Sequence, residues 1–197
     1  MRLFTLEHGK KAYQADFAFY GTSVVAFAAL LLVAAPRSRG LELALFAFLG
    51  LGSWTIVEYA LHRFVLHGLQ PFCRWHAEHH LRPTALICTP TILSATLITT
   101  LAFLPALLLT NPWTACALTF GVLTGYLAYS ITHHATHNWR ANSAWLKQRK
   151  HWHALHHQHV AQPGYYGVTS AIWDHLFGST RPAAAFETPH ANSRHDR

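Results

Sequence analysis

The chain has 197 residues, of which 51% are hydrophobic and only 12% charged, with a formal net charge of +7. That composition excludes a disordered chain and indicates a membrane protein; the mean hydropathy of only +0.15 reflects apolar blocks separated by histidine-rich, basic stretches. The bases gather at block ends and form no stripe interleaved with aromatics, so no nucleic acid is expected as a partner, and Cys73, Cys88 and Cys116 make neither a CxxC pair nor an even framework and are read as buried thiols.

In chain order, the first block that could cross a bilayer runs from Phe17 to Ala35. It is longer than the apolar core of a signal peptide, and Pro36 would follow the cleavage point, so it is read as a span. The second runs from Leu43 to Leu61, the third from Leu86 to Thr110 and the fourth from Trp113 to Thr132, each near the roughly 20 residues a spanning helix needs. Pro36 with Gly40, and Asn111 with Pro112, mark tight turns, so the blocks form two helical hairpins. Pro90 and Pro105 are expected to kink the third. The expected fold class is all-α: four transmembrane helices and a helical cap in one domain over residues 1–181, followed by a disordered tail over 182–197.

If the amino terminus is cytoplasmic, only Arg37 and Arg39 of the fifteen Lys and Arg lie on the far side, the orientation the positive-inside rule favours. His62 and His67, then His76, His79 and His80, then His133 and His137, then His153, His156 and His157 all fall on the cytoplasmic side. Residues three and four apart share a helix face, so the second and fourth groups are two copies of one trident and the third is an i, i+4 pair. His62 and His67 are five apart and share a regular helix face less well. Ten imidazoles packed without metal would repel on protonation and leave buried nitrogens unpartnered, so the ten are read as ligands of two metal ions. All-imidazole ligation suits Fe, Zn, Cu or Ni. Glu58, four residues before His62, with Glu78 and Asp174, is placed to orient imidazole N–H groups from behind.

These residues resemble the fatty acid hydroxylase and sterol desaturase superfamily of membrane di-iron enzymes. The resemblance runs from Glu58 to Gly178: Glu58 to His67, His76-Ala77-Glu78-His79-His80, His133 to His137, and His153-Ala154-Leu155-His156-His157 resemble its four boxes. Gly167-Val168-Thr169-Ser170, with Trp173-Asp174 and Phe177-Gly178, is most similar to the fatty acid 2-hydroxylase branch. The chain departs from that branch at Asn138, where a further His is common, and at Ser130, where an acidic residue follows the tyrosine.

The resemblance implies two iron ions (zinc fits the same ligands), O2, and hydroxylation of an acyl chain of a fatty acid or sphingolipid at C2. It also implies an external electron donor, a separate cytochrome b5-like or ferredoxin-like protein. Tyr126, Tyr129, Tyr165 and Tyr166 are candidates for lining the route of the lipid. Carotenoid ring hydroxylation and sterol desaturation or hydroxylation are the enzymatic alternatives, and a membrane metal-binding or transport protein the non-enzymatic one. A bacterial inner membrane is favoured over the endoplasmic reticulum, because no lysine-rich retrieval tail is seen.

Overall fold

The structure, a computed structural model, describes residues 7–158 and 163–180; the expected tail over 182–197 lies outside them. The described residues are helical apart from their loops and a single isolated bridge between Glu7 and Ile87. Helix α1 spans Lys10–Ala34, a 3-10 turn Arg37–Arg39 leads into α2 (Gly40–Ala60), and a π-helical segment, Leu61–Leu66, extends α2. After α3 (Phe72–Leu81), α4 (Thr91–Ile98) continues through a second π segment, Thr99–Phe103, into α5 (Leu104–Leu109). Helix α6 covers Pro112–Asn138, α7 Ala144–Gln158 and α8 Ile172–Leu176.

Four of these rods are long and apolar enough to cross a membrane: Lys10–Val33, Arg37–Leu66, Thr91–Leu109 and Pro112–Asn138. Leu32, Val33, Phe48, Leu108 and Leu109 point outward from them, the arrangement of a protein whose solvent is lipid. The spans differ from the expected blocks at several ends, and the second runs over Arg37–Leu66 where Leu43 to Leu61 was expected. The first begins at Lys10 and the fourth runs on to Asn138, so polar turns continue both helices past the apolar run. The third begins at Thr91 rather than Leu86, because Pro90 opens the helix instead of kinking it, and Leu86 accepts a hydrogen bond from His8 N–H (2.9 Å) in an extended stretch. At Pro105 the expected kink takes the form of the π segment just before it, which shifts the hydrogen-bond ladder ahead of a residue with no N–H to give.

Helices α2 and α6 approach backbone to backbone. A Cβ on Gly50 would strike the Leu118 carbonyl, and one on Gly121 the Ala47 carbonyl, so only hydrogen at both positions permits the contact. Around it Tyr20, Trp54, Ile98, Leu123 and Tyr126 form the buried apolar core. At one end of the bundle Asn111 caps α6 by accepting from the Trp113 and Thr114 N–H groups, while Arg39 joins Glu42 (2.6 Å) and Asn111 (2.7 Å), tying the two hairpin turns together. At the other end α3, α7, α8 and the 163–171 loop form the cap, and every histidine group lies there.

Candidate metal centre

The π segment resolves the awkward spacing of His62 and His67. With i→i+5 bonding, the His67 N–H donates to the His62 carbonyl (3.2 Å), and residues five apart come to one face. Each trident divides rather than acting as one surface. His76 and His80, an i, i+4 pair on α3, join His62, His67 and His156, whereas His79 joins His133, His137 and His153. Within each group the candidate ligand nitrogens all lie within 4.8 Å of one another. Helices α3 and α7 thus each serve both groups, and the π segment and α6 serve one each. His157 belongs to neither group by ligand distance; its ring stacks on His80 (centroids 4.2 Å) and meets His137 edge-on (4.8 Å), so it sits between them.

Several Nε2 atoms face one another: His62 and His76 at 3.0 Å, His80 and His76 at 3.0 Å, His67 and His156 at 3.1 Å, His79 and His133 at 3.0 Å, and His137 and His153 at 2.7 Å. The tautomer is decided where a carbonyl is the partner. The Nδ1 of His62 lies 2.6 Å from the Tyr166 carbonyl and that of His156 2.8 Å from the Gly164 carbonyl. A carbonyl only accepts, so both Nδ1 atoms carry the proton and both Nε2 atoms present bare lone pairs inward. Converging lone pairs in a buried setting repel unless a cation lies among them, and the nine nitrogens fit two soft-to-borderline metal ions. Burial holds the His67 and His157 imidazoles down to about 4, His80 to about 3 and His79 to about 2, with neighbouring imidazoles adding to the effect at His67, His79 and His80. His76, His153 and His156 are likewise held well below the usual imidazole range by burial. The rings are therefore neutral near pH 7, the protonation state that ligates.

The three carboxylates expected behind the rings act differently. Glu58, buried, makes no hydrogen bond to an imidazole among the described residues; its Oε1 accepts from the Val168 (2.6 Å) and Thr169 (2.8 Å) N–H groups, and the Thr169 hydroxyl reaches Oε2. Asp174 accepts from the Tyr166 and Gly167 N–H groups (both 2.8 Å) and the Ser179 hydroxyl (2.8 Å). Both carboxylates pin the loop whose carbonyls orient His62 and His156, one step further from the rings than expected. Glu78 is exposed and pairs with Arg82 (3.7 Å), because its turn of α3 faces solvent. The orienting carbonyls at 164 and 166 carry no side-chain signature, so the sequence reading missed them.

A cavity of about 120 Å³ opens beside the rings, with His76, His79 and His133 on its inner wall and Phe17, Leu66 and Phe72 among its apolar lining. Of the four expected tyrosines, Tyr129 lines it, its ring parallel to His133. Tyr126 instead packs in the core against Tyr20 and Trp54, and Tyr165 stacks on Trp152, because the helix turn and the loop direct them elsewhere. Tyr166 lies against the His62, His67 and His156 rings. Cys88 also lines the cavity, its thiol pushed up to about 12 by burial.

The family model for fatty acid hydroxylases matches residues 47–179, a stretch that contains all ten histidines. The chain belongs to the fatty acid hydroxylase family. Among members of this fatty acid hydroxylase family, it is 35% identical over 156 residues to dihydroceramide fatty acyl 2-hydroxylase FAH2 of Arabidopsis thaliana, covering 72% of this chain and 64% of that one. It is 32% identical to ceramide very long chain fatty acid hydroxylase scs7 of Schizosaccharomyces pombe (70% of this chain, 42% of that one) and 27% identical to fatty acid 2-hydroxylase of Homo sapiens (82% and 44%). The chain thus spans less than two thirds of the length of these curated relatives. A solved structure of full-length scs7p, with only the hydroxylase domain visible, shares the fold at a TM-score of 0.74 and 24% identity, covering 88% of this chain and 68% of that one. The fatty acid hydroxylase match begins within α2, so α1 lies outside it.

Proposed function

We propose that this membrane protein hydroxylates the acyl chain of a fatty acid or sphingolipid at C2, using O2 and two electrons from a separate cytochrome b5-like or ferredoxin-like donor. The observation that carries the reading is the pair of histidine groups, one of five rings and one of four, lying directly beside an apolar-walled cavity at the end of a membrane bundle. The names of the relatives, a dihydroceramide fatty acyl 2-hydroxylase and fatty acid 2-hydroxylases, support the acyl chain as substrate and C2 as the position.

His62, His67, His76, His80 and His156 would hold one metal ion and His79, His133, His137 and His153 the other, with His157 between them. Two irons bound there supply O2 reduction and C–H oxidation, chemistry that no side chain in this site performs. The protein's own residues bind and orient. The Gly164 and Tyr166 carbonyls fix two rings in the ligating tautomer, Glu58 and Asp174 hold those carbonyls in place, and the cap keeps bulk water from the buried nitrogens. Phe17, Leu66 and Phe72 give an alkyl chain an apolar wall along which to reach the rings. The excess of Lys and Arg at the histidine end supports a cytoplasmic position for it in the proposed orientation, and a bacterial inner membrane is the proposed location.

The test is mass spectrometry of lipids from cells that express the chain or its His156→Ala variant with a competent reductase. Lipids one oxygen heavier at C2 only with the intact chain bear the reading out. Loss of two hydrogens would make it a desaturase, and no difference would overturn it.

A further inference from the structure

The cavity beside the histidines is lined by one acidic residue, which forms no ion pair among the described residues. Asp16, on α1, is 6% exposed and lines the cavity. The Thr91 hydroxyl donates to its Oδ1 (2.6 Å), and among the described residues no Lys, Arg or His nitrogen pairs with it. Its Oδ2 takes part in none of the hydrogen bonds among the described residues. A buried carboxyl in a membrane helix costs several kcal/mol unless something compensates it. Anchoring α1 to α4 does not require one, since Tyr20 and Ser94 already join these helices through a neutral hydroxyl pair (2.6 Å). Thr89 and Ser130 add polar groups to a lining that also includes Phe17, Leu66 and Phe72. The lining therefore mixes apolar and polar side chains, suited to an alkyl chain that carries a polar group.

We infer that Asp16 is a specificity-determining residue that accepts a hydrogen bond from the amide N–H or hydroxyl of an N-acylated lipid and turns away a free fatty acid carboxylate. The inference rests on the reading of this cavity as the lipid site. A carboxylate acceptor strengthens a hydrogen bond from a neutral donor, whereas a second carboxylate beside it in a low-dielectric site is repelled.

The experiment is equilibrium binding to the metal-loaded protein in detergent, comparing a ceramide with the free fatty acid of the same chain length. Asp16→Asn keeps the volume and an acceptor for Thr91 but removes the charge; Thr91→Val removes the helix–helix bond but keeps the carboxylate. The intact protein is expected to prefer the ceramide by at least about tenfold, since a hydrogen bond to a charged group is worth about 1.5–3 kcal/mol. In Asp16→Asn the preference falls to about threefold or less, chiefly through tighter fatty acid binding, while Thr91→Val retains it. Equal binding of the two lipids by the intact protein, or the same loss in both variants, overturns the inference. A charge-dependent preference in a protein that oxidises neither lipid leaves the specificity intact and removes the hydroxylase reading instead.

Discussion

Glu58 and Thr169 stand 111 positions apart and are joined by two hydrogen bonds, one from the Thr169 N–H and one from its hydroxyl. The carboxylate belongs to a membrane span and the threonine to the loop over the histidines, so the bond fixes the height of the cap on the bundle. Glu58→Ala would strand three donors, one buried and two part-buried, at a cost of roughly 3 kcal/mol. The expected outcome is a lower unfolding temperature in detergent and weaker metal retention during dialysis against a chelator. Glu58→Gln, which keeps one acceptor, is expected to fall between the two. Unchanged metal retention in Glu58→Ala would show that the loop needs no such anchor.

The division of the rings predicts separable losses. His156→Ala removes a ring of the five-membered group and His153→Ala one of the four-membered group. Each is expected to lower the metal content from two ions per chain to one, and the double variant to none, as measured by elemental analysis. His151→Ala, exposed on the outer face of α7, is expected to keep both ions. A loss of both ions on either single change would mean the groups bind as one unit.

Acid is expected to destabilise the metal-free protein. The His67, His79, His80 and His157 imidazoles are held to about 4, 2, 3 and 4 in the fold, against 6.5 for a free ring, so below 6.5 the unfolded chain binds more protons than the folded one. Stability is therefore present in full above 6.5 and is lost as the pH falls toward the folded values. The unfolding temperature of the metal-free protein should drop between about pH 7.5 and about pH 5, with a smaller drop for the metal-loaded protein because the ion competes with the proton.

The α2–α6 contact predicts a steep size dependence at one position. Gly121→Val would drive a branched side chain into the Ala47 carbonyl and is expected to destabilise by about 1–3 kcal/mol. Gly52, whose Cβ would meet nothing within 4 Å, is expected to accept alanine without loss. Thermal unfolding of both variants in detergent checks the contrast.

The sequence made the bundle legible because lipid solvent demands long uninterrupted apolar runs, and the histidine groups legible because i, i+3 and i+4 spacing survives in any helix. What it concealed was set by backbone choices. Nothing in Leu61 to Leu66 announces a π segment, so the five-residue gap between His62 and His67 looked unfavourable although it matches that ladder. Asp16 stands one residue before the first apolar block and has no spacing that marks it as buried; its burial follows from α1 starting at Lys10. Glu58 and Asp174 were recognised as useful carboxylates, but their partners are main-chain N–H groups of a loop, which no residue pattern encodes.

The loop at 163–171 bears on how such a chain can vary. It steers His62 and His156 with carbonyl oxygens, and every residue type has one. The steering would therefore survive exchange of the side chain at 166, provided the path of the chain is kept. Mutational sensitivity should fall instead on Glu58, Asp174 and Ser179, which hold that path without touching an imidazole. Deep substitution scanning would then mark, beyond the ten histidines, an outer ring of intolerant positions that never meet the metals.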